Sequence, residues 1–290
     1  MESWRIEEVI ILGERMADLQ KYRASDLERA RTADLLRILP KGRATVLDIG
    51  AREGFFSKLL TDHFASVTAL DLEKPTFEFP GVDAVAGDVT ELPFPDNAFD
   101  CVFCAEVLEH IPELQKACRE IVRVARHEIV IGVPFEQDIR VGRMTCGSCG
   151  KVSPPWGHVN SFDERRLLGL FSDCQLVSKS FVGTSKDATN PLSMALMDLA
   201  GNPWGTYDET AKCPYCYAAL CAPDARRKLG SKICSGIAIR IDAVQALWTP
   251  WHANWIHLVL SKEKNSNTTN GALSQTAERY SVVPAGSGKA

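Results

Sequence analysis

Five short apolar runs alternate with helical patterns along the first half of the chain. The runs are the residue ranges 46–48, 66–71, 82–88, 99–106 and 128–134. Between the runs, apolar residues recur at spacings of three and four, as in Leu114, Ala117, Cys118 and Ile121, which is typical of helices buried on one face. Apolar strands that alternate with helices predict an α/β fold in which a mainly parallel sheet has helices on both faces.

Four of the five runs end in an acidic residue. Asp48 ends the first run, and a turn containing Gly50 and Gly54 follows it. Asp71 comes 23 residues after Asp48, the spacing at which a Rossmann-type unit places a carboxylate for ribose hydroxyls. Asp88 and Glu106 end two later runs. Since ligands bind at the carboxyl ends of parallel strands, these acids predict a cofactor rich in hydroxyl and amino groups rather than phosphates.

These motifs, together with the segment 92–111 (LPFPDNAFDCVFCAEVLEHI), identify a family resemblance. Residues from about 24 to 182, with a last strand near 256–262, resemble class I S-adenosylmethionine-dependent methyltransferases. The resemblance implies a Rossmann-like methyltransferase fold with a seven-stranded, mainly parallel sheet. It assigns to cofactor binding Asp48, Gly50, Gly54, Asp71, Asp88, Val89 and Glu106. The family has a glycine where this chain has Arg52, so we expect that side chain to point away from the cofactor.

Methyl transfer from a sulfonium needs alignment and exclusion of water more than acid–base chemistry. The resemblance places Glu106 near the methyl group, and we expect Glu106, His110 and His158 to position the acceptor or remove its proton. His158 could instead be a structural residue that fixes its loop, and Glu109 and His110 could serve only to cap and support a helix. The expected acceptor is a small molecule, a sugar or a lipid-linked glycan, methylated on oxygen or nitrogen.

Two other functions remain open at this stage. In small-RNA 3′-end methyltransferases, a Glu-x-x-Glu-His motif and a later histidine hold a divalent metal, and Glu106, Glu109, His110 and His158 match that pattern. A non-catalytic methyltransferase-like module that binds a protein partner is also conceivable, because Arg52 departs from the family. Either alternative would leave the fold expectation unchanged.

Cysteines form two pairs in turn-rich stretches, Cys146 with Cys149 and Cys213 with Cys216. Two such Cys-x-x-Cys pairs supply the four thiolates of a structural zinc site. Cys221, Cys234 and His158 are substitute ligands. The first pair and the Gly-His-x-x-Ser-Phe motif after it resemble a bacterial methyltransferase subgroup with a cysteine-pair insertion. In that motif, Ser161 and Glu164 predict a capping box for the next helix.

The pattern along the chain predicts several segments. These are an N-terminal helical extension (1–23), a methyltransferase domain (24–183) with the first cysteine insertion at 135–157, a helical zinc-binding insertion forming the acceptor wall (184–250), a final strand (251–262) and a disordered tail (263–290). In the second insertion, an apolar stripe is expected to pack in a core; its members are Ile233, Ile237, Ile241, Val244 and Leu247. Trp248, Trp251 and Trp255 are expected to pack where the insertion joins the final strand.

Charge and hydropathy narrow the partners. The 290-residue chain has a net charge of −4 and an isoelectric point near 5.9, which argues against a broad nucleic-acid or anionic-membrane surface but leaves room for a local basic patch. Glu2, Glu7 and Glu8 come early and no run reaches the ~20 apolar residues of a membrane span. We therefore expect a cytoplasmic protein that acts on a small-molecule or glycan acceptor, with a protein partner possible.

Overall fold

The computed structural model describes residues 23–207, 212–223 and 229–262. The predicted tail at 263–290 and nearly all of the predicted extension at 1–23 lie outside the described residues. The sheet has the seven strands that the sequence predicted. They are β1 (Thr45–Ile49), β2 (Ser66–Asp71), β3 (Val82–Ala86), β4 (Phe99–Ala105), β5 (Ala125–Pro134), β8 (Gln175–Val182) and β9 (Trp255–Ser261).

Strand order confirms the Rossmann-like methyltransferase architecture. The order across the sheet is β3-β2-β1-β4-β5-β9-β8. The first five are mutually parallel, whereas β9 runs antiparallel to both of its neighbours. The chain order reverses between β1 and β4, and open α/β sheets bind their ligands outside the strand ends at such a switch point.

Helices cover both faces of the sheet. Those that pack in the two sheet cores are α1 (Asp26–Arg37), α2 (Phe55–Leu60), α3 (Leu114–Val124) and α4 (Glu164–Leu170). Two further helices, α5 (Pro191–Leu199) and α6 (Leu229–Gln245), pack against each other. Alternation along β1 shows the two layers, since Val46 packs in a core with Leu35 of α1. Leu47 packs in the opposite core with Ile121 of α3. Each core is buried between helix and sheet because successive strand residues point to opposite faces.

Side chains cap the starts of α4 and α5. Asn190 caps α5, accepting hydrogen bonds from the Leu192 and Ser193 N–H groups. The capping box predicted at Ser161 and Glu164 is wrong. Asp163 caps α4 instead, while Ser161 Oγ donates to the carbonyl of Gln137. Because Ser161 bonds to the preceding loop, Asp163 accepts the hydrogen bond from the free Arg166 N–H in the first turn of the helix.

The apolar stripe of α6 (Ile233, Ile237, Ile241, Val244 and Leu247) is not core packing, and that prediction is wrong. Ile233 is 53% exposed, Val244 54% and Leu247 72%. The small residues of α6 face inward instead, with Ser235 and Ala238 buried against α5. Trp248 and Trp251 are also exposed, so the prediction that they pack the join to β9 is wrong as well. The helical spacing of these apolar residues was correctly recognised. That spacing does not determine which face of the helix packs against another element.

Candidate active site

A cleft of about 990 Å³ opens at the carboxyl ends of the parallel strands. Its floor is made by residues that follow β1, β2, β3 and β4. The predicted residues that line it are Gly50, Asp71, Asp88, Val89, Glu106, His110 and His158. The second insertion supplies part of the opposite wall through Ser185, Asp187 and Thr206. A cleft of this size can hold both a nucleoside-sized cofactor and a second ligand.

The turn after β1 is tied to the end of β2. The N–H groups of Gly50 and Ala51 both donate to the carbonyl of Leu70. The Arg52 N–H donates to Asp71 Oδ2 at 2.9 Å, and the Leu72 N–H to Asp71 Oδ1 at 2.8 Å. These bonds fix the Asp71 carboxylate at the cleft edge, and each oxygen keeps a lone pair that can accept from a ligand hydroxyl.

Arg52 adopts a left-handed conformation with φ +46°, so this turn tolerates a residue with a Cβ. Arg52 lines the cleft, and burial together with the Arg52 charge lowers the pKa of His110. That the Arg52 side chain points away from a bound cofactor stays a prediction.

Two of the predicted cofactor residues lie beneath the cleft and do not line it. Asp48 is 2% exposed, and its carboxylate accepts a 2.5 Å hydrogen bond from Ser57 Oγ of α2. Burial raises the pKa of Asp48 to about 7. Gly54 begins α2 with φ +78°, and a Cβ there would lie 2.6 Å from the Phe77 ring. Both residues therefore shape the turn from below.

The sequence reasoning missed two residues on the cofactor side of the cleft. Leu72 follows Asp71 directly and is 72% exposed within the cleft lining. An apolar residue directly after a strand-ending acid could have been recognised in the sequence, because such a residue can pack against a planar ligand ring. Val107 also lines the cleft, and its Cγ2 lies only 2.4 Å from where a Cβ on Gly50 would sit. Glycine at position 50 is thus required by Val107 as well as by its φ of +79°.

Glu106 is held at the cleft floor by α1. It follows β4 with φ +59°, and its Oε1 lies 3.5 Å from Arg31 Nη1. Arg31 is itself buried and makes two hydrogen bonds to Glu28, at 2.7 and 2.8 Å. Burial raises the pKa of Glu106 to about 7, although the Arg31 charge acts in the opposite direction. Arg31 was not expected from the sequence, because the pattern of α1 indicated only an apolar face.

The loop that carries His158 is clamped onto the 3₁₀ turn Leu108–His110. The N–H groups of Val159 and Asn160 both donate to the carbonyl of Glu109. Asn160 Nδ2 donates to the carbonyls of Leu108 and Ile111, at 3.0 and 2.7 Å. The structure thereby brings together His110 and His158, whose rings meet edge to face with centroids 4.7 Å apart.

Both histidines favour the neutral form. Burial and the neighbouring His110 lower the pKa of His158 to about 4, and desolvation and Arg52 lower that of His110. His158 Nδ1 lies 2.7 Å from Gln137 Oε1. Because an amide oxygen only accepts, Nδ1 carries the proton and the Nε2 lone pair is available. A neutral histidine in this tautomer can accept a proton or bind a cation.

Glu109 lies directly beside this pair. Its carboxylate is fully buried, and neither oxygen has a hydrogen-bond partner among the described residues. One of its oxygens and one nitrogen from each of His110 and His158 lie within 4.8 Å of one another. Burial raises the pKa of Glu109 well above its usual range. This group can hold a proton, or it can hold a cation that both histidines share.

The four predicted cysteine ligands come together in space. Cys146 Sγ lies 3.6 Å from Cys216 Sγ, and Cys149 Sγ lies 3.6 Å from Cys213 Sγ. All four sulfur atoms lie within 4.8 Å of one another. The two turns share one geometry, because the N–H of Gly150 donates to the carbonyl of Cys146 and that of Tyr217 to the carbonyl of Cys213. The hairpin formed by β6 (Met144–Thr145) and β7 (Val152–Ser153) carries the first pair.

Residues 47–130 match the methyltransferase domain family. The matched segment contains the strands and turns that form the cleft floor. This part of the chain is therefore similar to a methyltransferase domain. The seven-stranded fold also resembles a solved structure from Bacillus halodurans, described as a candidate methyltransferase. That structure has a TM-score of 0.52, 14% identity, and coverage of 80% of this chain and 98% of the other.

Two curated relatives are similar to parts of the chain. A demethylmenaquinone methyltransferase from Renibacterium salmoninarum is 35% identical over 103 residues, which are 34% of this chain and 43% of that protein. A malonyl-[acyl-carrier protein] O-methyltransferase from Serratia marcescens is 29% identical over 163 residues, which are 52% of this chain and 60% of that protein. The chain thus spans less than two thirds of the length of either relative.

Proposed function

We propose that the protein is an S-adenosylmethionine-dependent methyltransferase. The observation that carries the proposal is the cleft edge formed by Asp71, Leu72 and Asp88 within a methyltransferase domain. Asp71 would accept hydrogen bonds from the ribose hydroxyls. Leu72 and Val89 would pack against the adenine, with Asp88 beside them, and Gly50 would let the methionine part pass close to the backbone.

The residues at the cleft floor fit a direct displacement on the methyl group. Bound S-adenosylmethionine supplies an electrophilic methyl group and a good leaving group. Glu106 would lie nearest the reacting methyl and orient the acceptor. His158 would accept a proton from an acceptor hydroxyl or amine through Nε2, with the His110 ring packed edge to face against it. The wall contributed by Ser185, Asp187 and Thr206 would exclude water.

The acceptor we favour is a small molecule, a sugar or a lipid-linked glycan, methylated on oxygen or nitrogen. The names of the two relatives support only the small-molecule part of this range, because they specify demethylmenaquinone and a malonyl-[acyl-carrier protein]. In this view, residues 184–250 form the acceptor wall of the 24–183 domain, which the final strand at 251–262 completes. The cytoplasmic location and a protein partner stay predictions.

Calorimetric titration with S-adenosylmethionine tests the methyl-donor site. We expect micromolar binding by the zinc-loaded protein and a loss of at least tenfold in Asp71→Ala. Asp83→Ala is the matched control, because Asp83 is an exposed acid on β3 that does not line the cleft. Circular dichroism checks that both variants are folded. Absence of binding by the folded wild type would favour the non-catalytic partner module instead.

A second candidate function is metal-assisted methylation. The buried Glu109 carboxylate is the observation that supports it. A carboxylate without hydrogen-bond partners among the described residues is costly when ionised, and a cation shared with His110 and His158 would remove that cost. Carboxylate oxygen is a ligand type that suits Mn²⁺. A metal here could bind adjacent hydroxyls of an acceptor such as the 3′ end of an RNA.

Thermal denaturation with Mn²⁺ tests this second candidate without an activity assay. With the cysteine site saturated by zinc, Mn²⁺ should raise the melting temperature of the wild type but not that of Glu109→Gln. Glu91→Gln is the control, since Glu91 is exposed and lies outside the cleft lining. An equal rise in the melting temperature of all three proteins would show that Mn²⁺ does not bind at Glu109.

We further propose that Cys146, Cys149, Cys213 and Cys216 bind one structural Zn²⁺. The 3.6 Å sulfur separations fit the edges of a tetrahedron with zinc–sulfur bonds of about 2.3 Å. Four thiolates leave no open position, so the ion would join the insertion at 135–157 to the one at 184–250. Mass spectrometry should find one zinc per chain. Either Cys146→Ser or Cys213→Ser should lower that content, whereas a loss in only the first would contradict a shared site.

A further inference from the structure

The pair of helices α5 and α6 presents its large apolar residues outward. The α6 stripe runs the length of the helix, about 25 Å, and Trp248 and Trp251 extend it, with exposures of 76% and 68%. On α5, Leu192 and Leu199 are 61% and 76% exposed. A helix of a water-soluble domain normally turns its apolar face inward, so a surface of this kind indicates an interaction site.

The contact between the two helices is made by small residues. Ser193, Ser235 and Ala238 are buried there, and Ser193 Oγ donates to the carbonyl of Ala238 at 2.9 Å. Helices that contact lipid have this arrangement, with small residues between the helices and large apolar residues outside. No described helix is long and apolar enough to cross a membrane. A helix of this kind therefore fits a position in the plane of the membrane surface.

Between positions 229 and 252 the basic residues outnumber the acidic ones, although the whole chain carries −4. Arg240 lies within the stripe, where it lines a shallow groove with Ile237 and Val244. Lys232 is exposed on α6, and Lys186 Nζ lies 5.4 Å from the Trp251 ring centroid. The only acid between positions 229 and 252 is Asp242, which accepts a hydrogen bond from Thr189.

We propose that the α5–α6 face docks the protein on an anionic lipid surface. The stripe would lie at the boundary of headgroups and acyl chains, with Trp248 and Trp251 at the headgroup level. Lys186, Lys232 and Arg240 would contact lipid phosphates. The same loops reach the cleft, because Lys186 lies between the lining residues Ser185 and Asp187, and His252 follows Trp251. The cleft mouth would therefore face the bilayer, which suits an acceptor attached to a lipid.

Cosedimentation with vesicles tests the docking surface and needs neither cofactor nor acceptor. The full chain should bind vesicles containing phosphatidylglycerol, and less well vesicles of phosphatidylcholine alone. The double variant Ile237→Glu with Val244→Glu should lower the partition coefficient more than tenfold. Val177→Glu is the matched control, since Val177 is 60% exposed on β8, away from this face. Melting temperatures confirm that each variant is folded.

A second variant separates the charges from the apolar contact. Arg240→Gln should lower binding to the anionic vesicles about fivefold and leave binding to neutral vesicles unchanged. Absence of wild-type binding to either vesicle, or binding that the double variant retains, would overturn the proposal. If light scattering shows a dimer that the double variant dissociates, and no vesicles bind, the face is an interface between two copies. Because S-adenosylmethionine binding is measured separately, failure of docking leaves the proposed activity standing.

Discussion

Replacing Asp48 by asparagine should change how the stability of the fold depends on pH. Asp48 is buried beneath the cleft and has one side-chain partner among the described residues, the Ser57 hydroxyl. Burial, together with the charge of Asp71, raises its pKa from 3.8 to about 7. Asparagine keeps an oxygen that can accept the Ser57 hydrogen bond but cannot ionise. The variant therefore isolates the cost of a buried charge.

The sign and size of the effect follow from proton linkage. Below pH 4, Asp48 is protonated in both the folded and the unfolded chain. Between pH 4 and 7, the unfolded chain has lost the proton and the folded chain retains it, so this group lowers the unfolding free energy by about 1.4 kcal/mol per pH unit. Above pH 7 the cost is constant. A shift of about three pKa units corresponds to at most about 4 kcal/mol.

Urea denaturation of both proteins across pH 4.5 to 8 measures this difference. Asp48→Asn should match the wild type near the acidic end and gain stability over it as the pH rises. Asp100→Asn is a control of opposite sign: although burial raises the pKa of Asp100, hydrogen bonds from the Ala44 and Thr45 N–H groups outweigh this and lower it. That variant should be less stable than the wild type by a constant amount across this range, because a lowered pKa closes the gap only below about pH 4. A constant gap between Asp48→Asn and the wild type would refute the argument.

Three further substitutions probe other parts of the site. Gly50→Ala should destabilise the fold by about 1–3 kcal/mol, and adding Val107→Ala should recover only part of that loss, because the positive φ remains; an unchanged urea midpoint would contradict the clash. Asn160→Ala should cost about 2 kcal/mol by freeing two carbonyls of the 3₁₀ turn, and an unaltered melting temperature would count against the clamp. Burial opposes ionisation of Asp34, but hydrogen bonds led by that from His257 lower its pKa to about 2. Asp34→Asn should therefore lose about 2 kcal/mol at neutral pH, with the gap closing as the pH falls from 4 to 2, and a gap that persists in acid would be inconsistent.

The strands and the cleft floor could be predicted because their signals are local. A parallel strand buried on both faces is a continuous apolar run, and the acid at its end is adjacent in sequence. Asp71, Asp88 and Glu106 therefore lie at the cleft as expected. The cysteine pairs were also recognisable, since each Cys-x-x-Cys turn is a complete local unit. Their meeting across more than 60 residues was an inference about folding that the sulfur distances now support.

The errors arose where the outcome depends on contacts between distant segments. The apolar period of α6 is a property of the helix, but whether another element covers it depends on the small size of Ser193 and Ala238 at the helix contact. Arg31 contacts Glu106 although the two residues are 75 positions apart in the sequence. Ser161 was expected to cap α4 and instead bonds to Gln137, which is 24 positions earlier.

The last described strand in the chain occupies an interior position in the sheet. Trp255–Ser261 pairs with β5 on one side and with β8 on the other, yet roughly 70 residues separate it from the end of β8. At translation rates of about 5–20 residues per second, the ribosome needs several seconds to make that segment. During this interval β5 and β8 both carry an unpaired edge, the state that favours aggregation. Synthesis of the 184–250 insertion is thus a vulnerable stage in the biogenesis of the protein, and chains that terminate within it would be released with one edge of β5 unpaired and with β8 lacking any partner strand.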